Sequence, residues 1–305
     1  MLKKLRAVSL LTTLLFFATA QSMSDELVIV NEVKFSNIID GKKKMNRYEA
    51  SGVRLLNDKI YVVFDNDSRV ARVNMKLTKA KLLGKASAKV GFEGITYDPA
   101  ANAFYLVEES LRHQGEWHGR LRVMDEELSS RQKRSWLGYA FENGNKGFEG
   151  LAFLQKNGTG YLLALCEGNG CRAGRESREG GGGTIQVFEQ KKQAWKLVYS
   201  ISLPKTLAFS DYSGLDISAD NTLAVSSQES SAIWIGKLDV NAWKTVGAGK
   251  VYTFPTNKKG DTLYCNVEGI AWISKDRLAV VSDAKKKSQP GSCKKKEQSI
   301  HIVKF

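Results

Sequence analysis

Short apolar runs of four to six residues, rich in Val, Ile, Tyr and Phe, recur along the chain in pairs separated by a polar turn. The pairs are Gly52–Leu56 with Ile60–Phe64, Gly94–Tyr97 with Phe104–Val107, Gly150–Phe153 with Tyr161–Leu165, Gly214–Ile217 with Leu223–Ser226, and Gly269–Ile273 with Leu278–Val281. Runs of that length and composition are strand signals. The breaks between them, Asn57-Asp58, Asp98-Pro99, Asn157-Gly158, Asp220-Asn221 and Lys275-Asp276, are turn chemistry. A third strand follows each pair, at Val70–Val73, Leu121–Met124, Ile185–Phe188, Ile233–Ile235 and Ile300–Val303. Fourth strands fit at Ala80–Gly84, Trp136–Phe141, Leu197–Leu203 and Lys250–Phe254, but the last repeat ends at Phe305 without one. The spare strand Leu27–Phe35 near the N-terminus can fill that place. No amphipathic helical pattern of ten residues competes. The pattern therefore predicts an all-β, five-bladed β-propeller closed by the N-terminal strand.

The five repeats also carry a phased polar position. Ser51, Glu93, Glu149, Ser213 and Glu268 each stand directly before a Gly at the head of the first strand, at spacings of 42, 56, 64 and 55 residues. One such pair is a turn entering a strand. Five in phase place five oxygen-bearing side chains, three of them carboxylates, around one channel mouth. Crowded carboxylates require a cation or protons to offset their repulsion. An all-oxygen set with three charges suits a hard divalent cation, most simply calcium. The connection after each second strand returns to the same mouth, so Asp65, Glu108, Glu109, Glu167, Gln228, Glu229 and Asp283 are expected to form an outer tier.

Composition narrows the setting. Lys3, Lys4 and Arg6, the apolar run Ala7–Phe17 and Ala18-Thr19-Ala20 predict an export signal over residues 1–20, followed by one domain over 21–305. That apolar run is too short to span a bilayer, and no later stretch approaches the length of a transmembrane segment. The formal charge of +14 falls to +11 without the three basic residues of the signal, with clusters at Lys42–Lys44, Lys285–Lys287 and Lys294–Lys296. No nucleic-acid motif accompanies these clusters; they fit solvated loops, or a rim that attracts an anionic small molecule or an acidic envelope polymer. Four cysteines in a periplasmic or secreted chain predict disulfides, the most local pairing being Cys166–Cys171 with Cys265–Cys293.

Two loops hold further polar groups. Glu108–Arg120, with His113 and His118, reads as a polar lid. Gly168–Gly183 carries Arg172, Arg175 and Arg178 among many glycines and reads as a flexible flap, or as one that grips phosphate or carboxylate over the channel. It is not a P-loop, because it has no Gly-Lys-Ser/Thr and no following helix. Gly-x-Ser-x-Gly is absent, and no His sits in a context that suggests a triad.

The Ser, Glu, Glu, Ser, Glu order, with phrases such as Gly-Phe-Glu-Gly-Ile, Asp-Tyr-Ser-Gly-Leu and Val-Glu-Gly-Ile-Ala, resembles the SdiA-regulated (YjiK-like) five-bladed propellers over nearly the whole mature chain. It is also similar to the calcium-activated nucleotidases (the soluble apyrases), in which calcium sits in the central channel on these positions. By that likeness Ser51, Glu93, Glu149, Ser213 and Glu268 would be calcium ligands. Esterase-like phytase domains share the Phe-Glu-Gly-Ile style of phrase. The substrate-contacting residues of the apyrases are not matched, so nucleotidase activity does not follow. The expectation is an exported calcium-binding propeller. As an enzyme it would hydrolyse a phosphoester or phosphoanhydride, with Arg172 and Arg175 offsetting charge and Glu109 or Glu229 activating water. The alternative is a non-catalytic ligand-binding or scaffold propeller with structural calcium.

Overall fold

The computed structural model describes residues 25–39, 45–87, 91–128, 133–144, 146–192 and 194–305; the expected export signal and the Lys42–Lys44 run lie outside them. The chain folds into consecutive four-stranded meanders. Meander 1 comprises Ala50–Leu56, Lys59–Phe64, Val70–Asn74 and Ala80–Leu83; meander 2 comprises Gly94–Asp98, Ala103–His113, Glu116–Asp125 and Lys133–Phe141. Meander 3 comprises Phe148–Lys156, Thr159–Cys166, Thr184–Lys191 and Ala194–Ser202; meander 4 comprises Gly214–Ile217, Thr222–Ser227, Ala232–Asp239 and Lys244–Thr253. Meander 5 takes Val267–Ser274, Arg277–Ser282 and Ser299–Lys304 from the C-terminal end and Val28–Lys34 from the N-terminal end. That last strand runs antiparallel to Ser299–Lys304, with Glu32 opposite His301. The expected closing strand is therefore in place. A two-residue strand before it, Asp25–Glu26, lies parallel to the outer strand of meander 4, and the outer strands of meanders 2 and 3 meet in parallel at Leu137 and Trp195.

The inner strands are apolar on both faces because each meander is covered on both sides. Ile60, Val62 and Phe64 pack towards meander 5, while Tyr61 and Val63, on the alternate face, pack towards meander 2. Leu163 and Leu165 likewise face meander 4, and Leu162 and Ala164 face meander 2. A fifth interface, around Ile233, Val267 and Val280, joins meanders 4 and 5. Five apolar layers thus separate five meanders in a ring, and the inner strands neighbour one another in the same cyclic order. Among the described residues, helix is confined to Phe35–Ile38 and three short 3-10 turns. No helix among the described residues is long and apolar enough to cross a membrane.

Local turn chemistry works as the sequence suggests. Asn57 and Asp58 take φ of 47° and 54°, and Asn157 and Gly158 take 49° and 75°, the left-handed pair that a two-residue hairpin requires. The stretch Glu108–Arg120 departs from expectation. It is a continuation of two strands rather than a lid, turned at Gln114-Gly115 with φ of 51° and 92° and bulged between Glu108 and Leu111. Cys166 is joined to Cys171 and Cys265 to Cys293, as the local pairing predicts.

Candidate functional site

Each of the five phased residues lies at or beside the start of an inner strand, and the glycine after it is where neighbouring meanders touch. A Cβ on Gly52 would lie 2.9 Å from Gly94 Cα, and one on Gly150 would lie 2.6 Å from Leu215 N. A Cβ on Gly214 would lie 2.2 Å from the Glu268 carbonyl oxygen, and one on Gly269 2.7 Å from Gly52 Cα, which returns to the first meander. Only glycine lets backbones approach this closely. The two serines are fully buried and act as staples. Ser51 Oγ donates to the Phe92 carbonyl of the next meander, and Ser213 Oγ donates to the Val267 carbonyl at 2.8 Å. Both accepting carbonyls immediately precede a ring glutamate. With its proton so committed, each hydroxyl retains lone pairs for whatever enters the channel.

The carboxylates are electrostatically crowded. Glu93, Glu149 and Glu268 are all held well above the usual carboxyl range, first by desolvation and then by one another. Glu93 feels Glu268, Asp65, Glu109 and Glu167; Glu149 feels Glu93, Glu167 and Glu109; Glu268 feels Asp283, Glu149 and Asp65. Asp65 is pushed up to about 8 by desolvation and by Glu49 and Asp283, although its exposure lets water screen part of that repulsion. Asp283, buried, is pushed up to about 6 by desolvation and Glu49. The cations that oppose this are few: Lys146 acts on Glu149, Lys286 on Glu268, Asp211 and Asp283, and Arg47 on Asp65 and Asp283.

The outer tier is only partly the set expected. Glu108 is withdrawn from the mouth and clasped by Arg120 and by Arg122, the latter at 2.7 Å. Its neighbour Glu109 is exposed, held above its ordinary value by desolvation and Glu167. Consecutive strand residues face opposite ways, which separates the two. Glu167 pairs with Lys146 at 2.6 Å, and Gln228 accepts from Lys286 Nζ at 2.9 Å. Glu229 is exposed and lines a cavity with Gln228, Lys286, Ser288 and Gln289. The loop expected as a flap is tied down at its base. Buried Asn169 donates to the Ser177 and Phe209 carbonyls and accepts from Gly182 N–H and Tyr212 O–H. Arg172 pairs with Glu176 at 2.5 Å in solvent, and Arg175 is exposed beside it. His113 stacks on Trp136, 4.3 Å between ring centroids, and His118 lies beside the Leu137 carbonyl.

Two acids were missed by sequence reasoning although a signal was available. Glu49 and buried Asp211 stand two residues before Ser51 and Ser213, and the ring-glutamate repeats have Gly91, Gly147 and Asn266 there instead. Every repeat thus brings one carboxylate to the mouth, at the ring position or two residues earlier. Asp211 Oδ1 accepts from Ser227 Oγ at 2.6 Å and from Glu229 N–H, while Oδ2 is buried with no hydrogen-bond partner.

As a metal site, the ring supplies hard oxygen donors and surplus negative charge, and a narrow void at the axis is lined by Ser51, Glu149, the five glycines after the ring residues and the apolar residues that follow them, Val53, Ile95, Leu151, Leu215 and Ile270. Among the described residues, however, no three Asp, Glu, His or Cys side chains are drawn onto one point as a metal-holding group. The donor set of a hard-cation site is present without its closed geometry.

No family model matches the chain, and no curated protein does. Solved structures do match it. Myxococcus xanthus glutaminyl cyclase is similar over 91% of this chain and 95% of its own, at 12% identity and a TM-score of 0.52. The GH43_1 enzyme from Xanthomonas citri, solved with xylose, is similar over 88% and 90%, at 13% identity and a TM-score of 0.52. The fold is a β-propeller. At such identities the likeness carries architecture and no activity.

Proposed function

We propose that this propeller is an exported calcium-binding protein that hydrolyses a phosphoester or phosphoanhydride of a small anionic molecule at its channel mouth. The observation that carries the reading is the mutual crowding of Glu93, Glu149 and Glu268, which a hard divalent cation would relieve. Ser51 and Ser213 would complete the ligand set through their free lone pairs. Calcium, when bound, would supply positive charge for phosphoryl oxygens. Lys286 stands where an anion entering beside Glu229 would meet a cation, and Glu229 or Glu109 would take a proton from water. Arg172 and Arg175 fit less well, since Arg172 is engaged with Glu176. The two disulfides suit an oxidising compartment, periplasmic or extracellular.

A second reading keeps calcium structural and makes the mouth a binding site without chemistry. It is favoured by the ties Lys146–Glu167 and Lys286–Gln228, which occupy mouth side chains with one another. Assay of the purified chain against a phosphoester panel, with calcium and with chelator, separates the two. Calcium-dependent turnover lost in Glu229→Gln and Glu109→Gln supports hydrolysis. Calcium-dependent stabilisation without turnover supports the structural ion, and neither effect refutes both readings.

A further inference from the structure

The far ends of the inner strands enclose a second site, away from the acidic mouth. A cavity of ≈ 540 Å³ opens between meanders 1, 4 and 5, lined by Arg54, Asp216, Ile217, Ile235, Trp272 and the C-terminal Phe305 among others. Its volume lies within the range of small-molecule sites. The polar centre is a salt bridge across the ring, with Arg54 Nη1 2.6 Å from Asp216 Oδ1. Asp216 has most of its acceptor capacity engaged. Oδ1 also accepts from Ile217 N–H at 2.8 Å, and Oδ2 accepts from Trp272 N–H at 2.9 Å. The donors are not used up. Arg54 Nε and Trp272 Nε1 are both buried and without a hydrogen-bond partner.

Buried unpaired donors are costly, and neither an arginine nor an indole N–H can act as an acceptor. Here they stand beside an apolar wall in which Trp272 meets Phe305 edge-on, 5.7 Å between centroids. A ligand suited to these walls has an apolar, preferably aromatic body and an acceptor-rich anionic head. The one buried carboxylate already receives Arg54 and two backbone N–H groups, so the unused polar capacity of the wall lies mainly with its donors. We propose that this cavity binds a small carboxylate carried on an apolar body, its head received by Arg54 and Trp272 and its body by Trp272, Phe305 and Ile235. The site needs no calcium and no residue of the mouth.

Calorimetric titration in chelator tests this, with phenylacetate as the probe and phenylacetamide as its neutral counterpart. Phenylacetate is expected to bind saturably at one site and at least tenfold more tightly than the amide. Trp272→Phe keeps the ring but removes the indole donor, and a loss of about tenfold is expected, the worth of one hydrogen bond to a charged group. Arg54→Gln alone would strand a buried carboxylate, so it is paired with Asp216→Asn; that double variant should fold and lose the preference for acid over amide. No saturable binding, equal affinity for acid and amide, or an undiminished affinity in Trp272→Phe overturns the proposal. Loss of binding in Glu229→Gln would also overturn it, by placing the acid at the mouth.

Discussion

The ring is closed by an N-terminal strand, and Glu32 is where that closure can be measured. Its carboxylate lies between Lys296, whose Nζ donates to Oε1, and Tyr264, whose hydroxyl donates to Oε2 at 2.9 Å. His301, Lys296 and Tyr264 together hold Glu32 down to about 2, against an ordinary value of 4.5. Taken whole, that depression corresponds to about 3 kcal/mol of stability. Two facts reduce it. His301, the largest contributor, is held neutral by burial, and its Nδ1 stands 3.4 Å from Oε2 without completing a hydrogen bond. The Glu32 side chain also remains 31% exposed, so water screens what is left. Glu32→Gln should therefore cost about 1–2 kcal/mol at pH 7. The melting temperature should fall by roughly 2–6 °C. A depressed carboxyl stabilises fully above its unfolded value and loses that contribution as pH falls towards the folded one. The gap between wild type and variant should hold from pH 7 to about 5, close progressively as pH falls through the usual carboxyl range, and vanish near pH 2. Circular-dichroism melts over that range check it. An absent gap at pH 7, or one that stays constant down to pH 2.5, refutes the reasoning.

The acidic mouth makes the opposite prediction. Its carboxyls are raised, so in chelator the folded state binds more protons than the unfolded one, and stability should fall as pH rises from about 5 to 8. Calcium should reverse that fall, by about 2.7 kcal/mol at a hundredfold excess over its dissociation constant. Glu93→Gln with Glu149→Gln should flatten both dependences, and a wild-type melting temperature in chelator that rises with pH would sink the repulsion argument. Gly214→Ala drives a methyl to 2.2 Å from the Glu268 carbonyl oxygen and should cost about 1–3 kcal/mol in urea unfolding. A loss below about 0.5 kcal/mol, the level of a neutral surface change, would mean meanders 4 and 5 do not meet there.

What the sequence determined by itself is what depends on near neighbours along the chain. Strand runs, left-handed turns such as Asn157-Gly158 and the glycine behind each ring residue are short-range requirements, and they are written in consecutive letters. The closing strand was legible too, because a missing fourth strand and a spare first one are visible in a count. Repetition placed the ring residues at one mouth, since equivalent positions in a closed array share an end. Glu108 and Glu109 show where this stops: they are adjacent in sequence, yet the strand sends one to two arginines inside the sheet and leaves the other exposed at the mouth. Which cations reach the acids, Lys146, Lys286 and Arg47, depends on loops whose course no periodicity encodes. Arg54 and Asp216 are 162 residues apart. Neither residue stands out in its own segment, and their salt bridge and the cavity around it exist only because ring closure brings meanders 1, 4 and 5 to one axis.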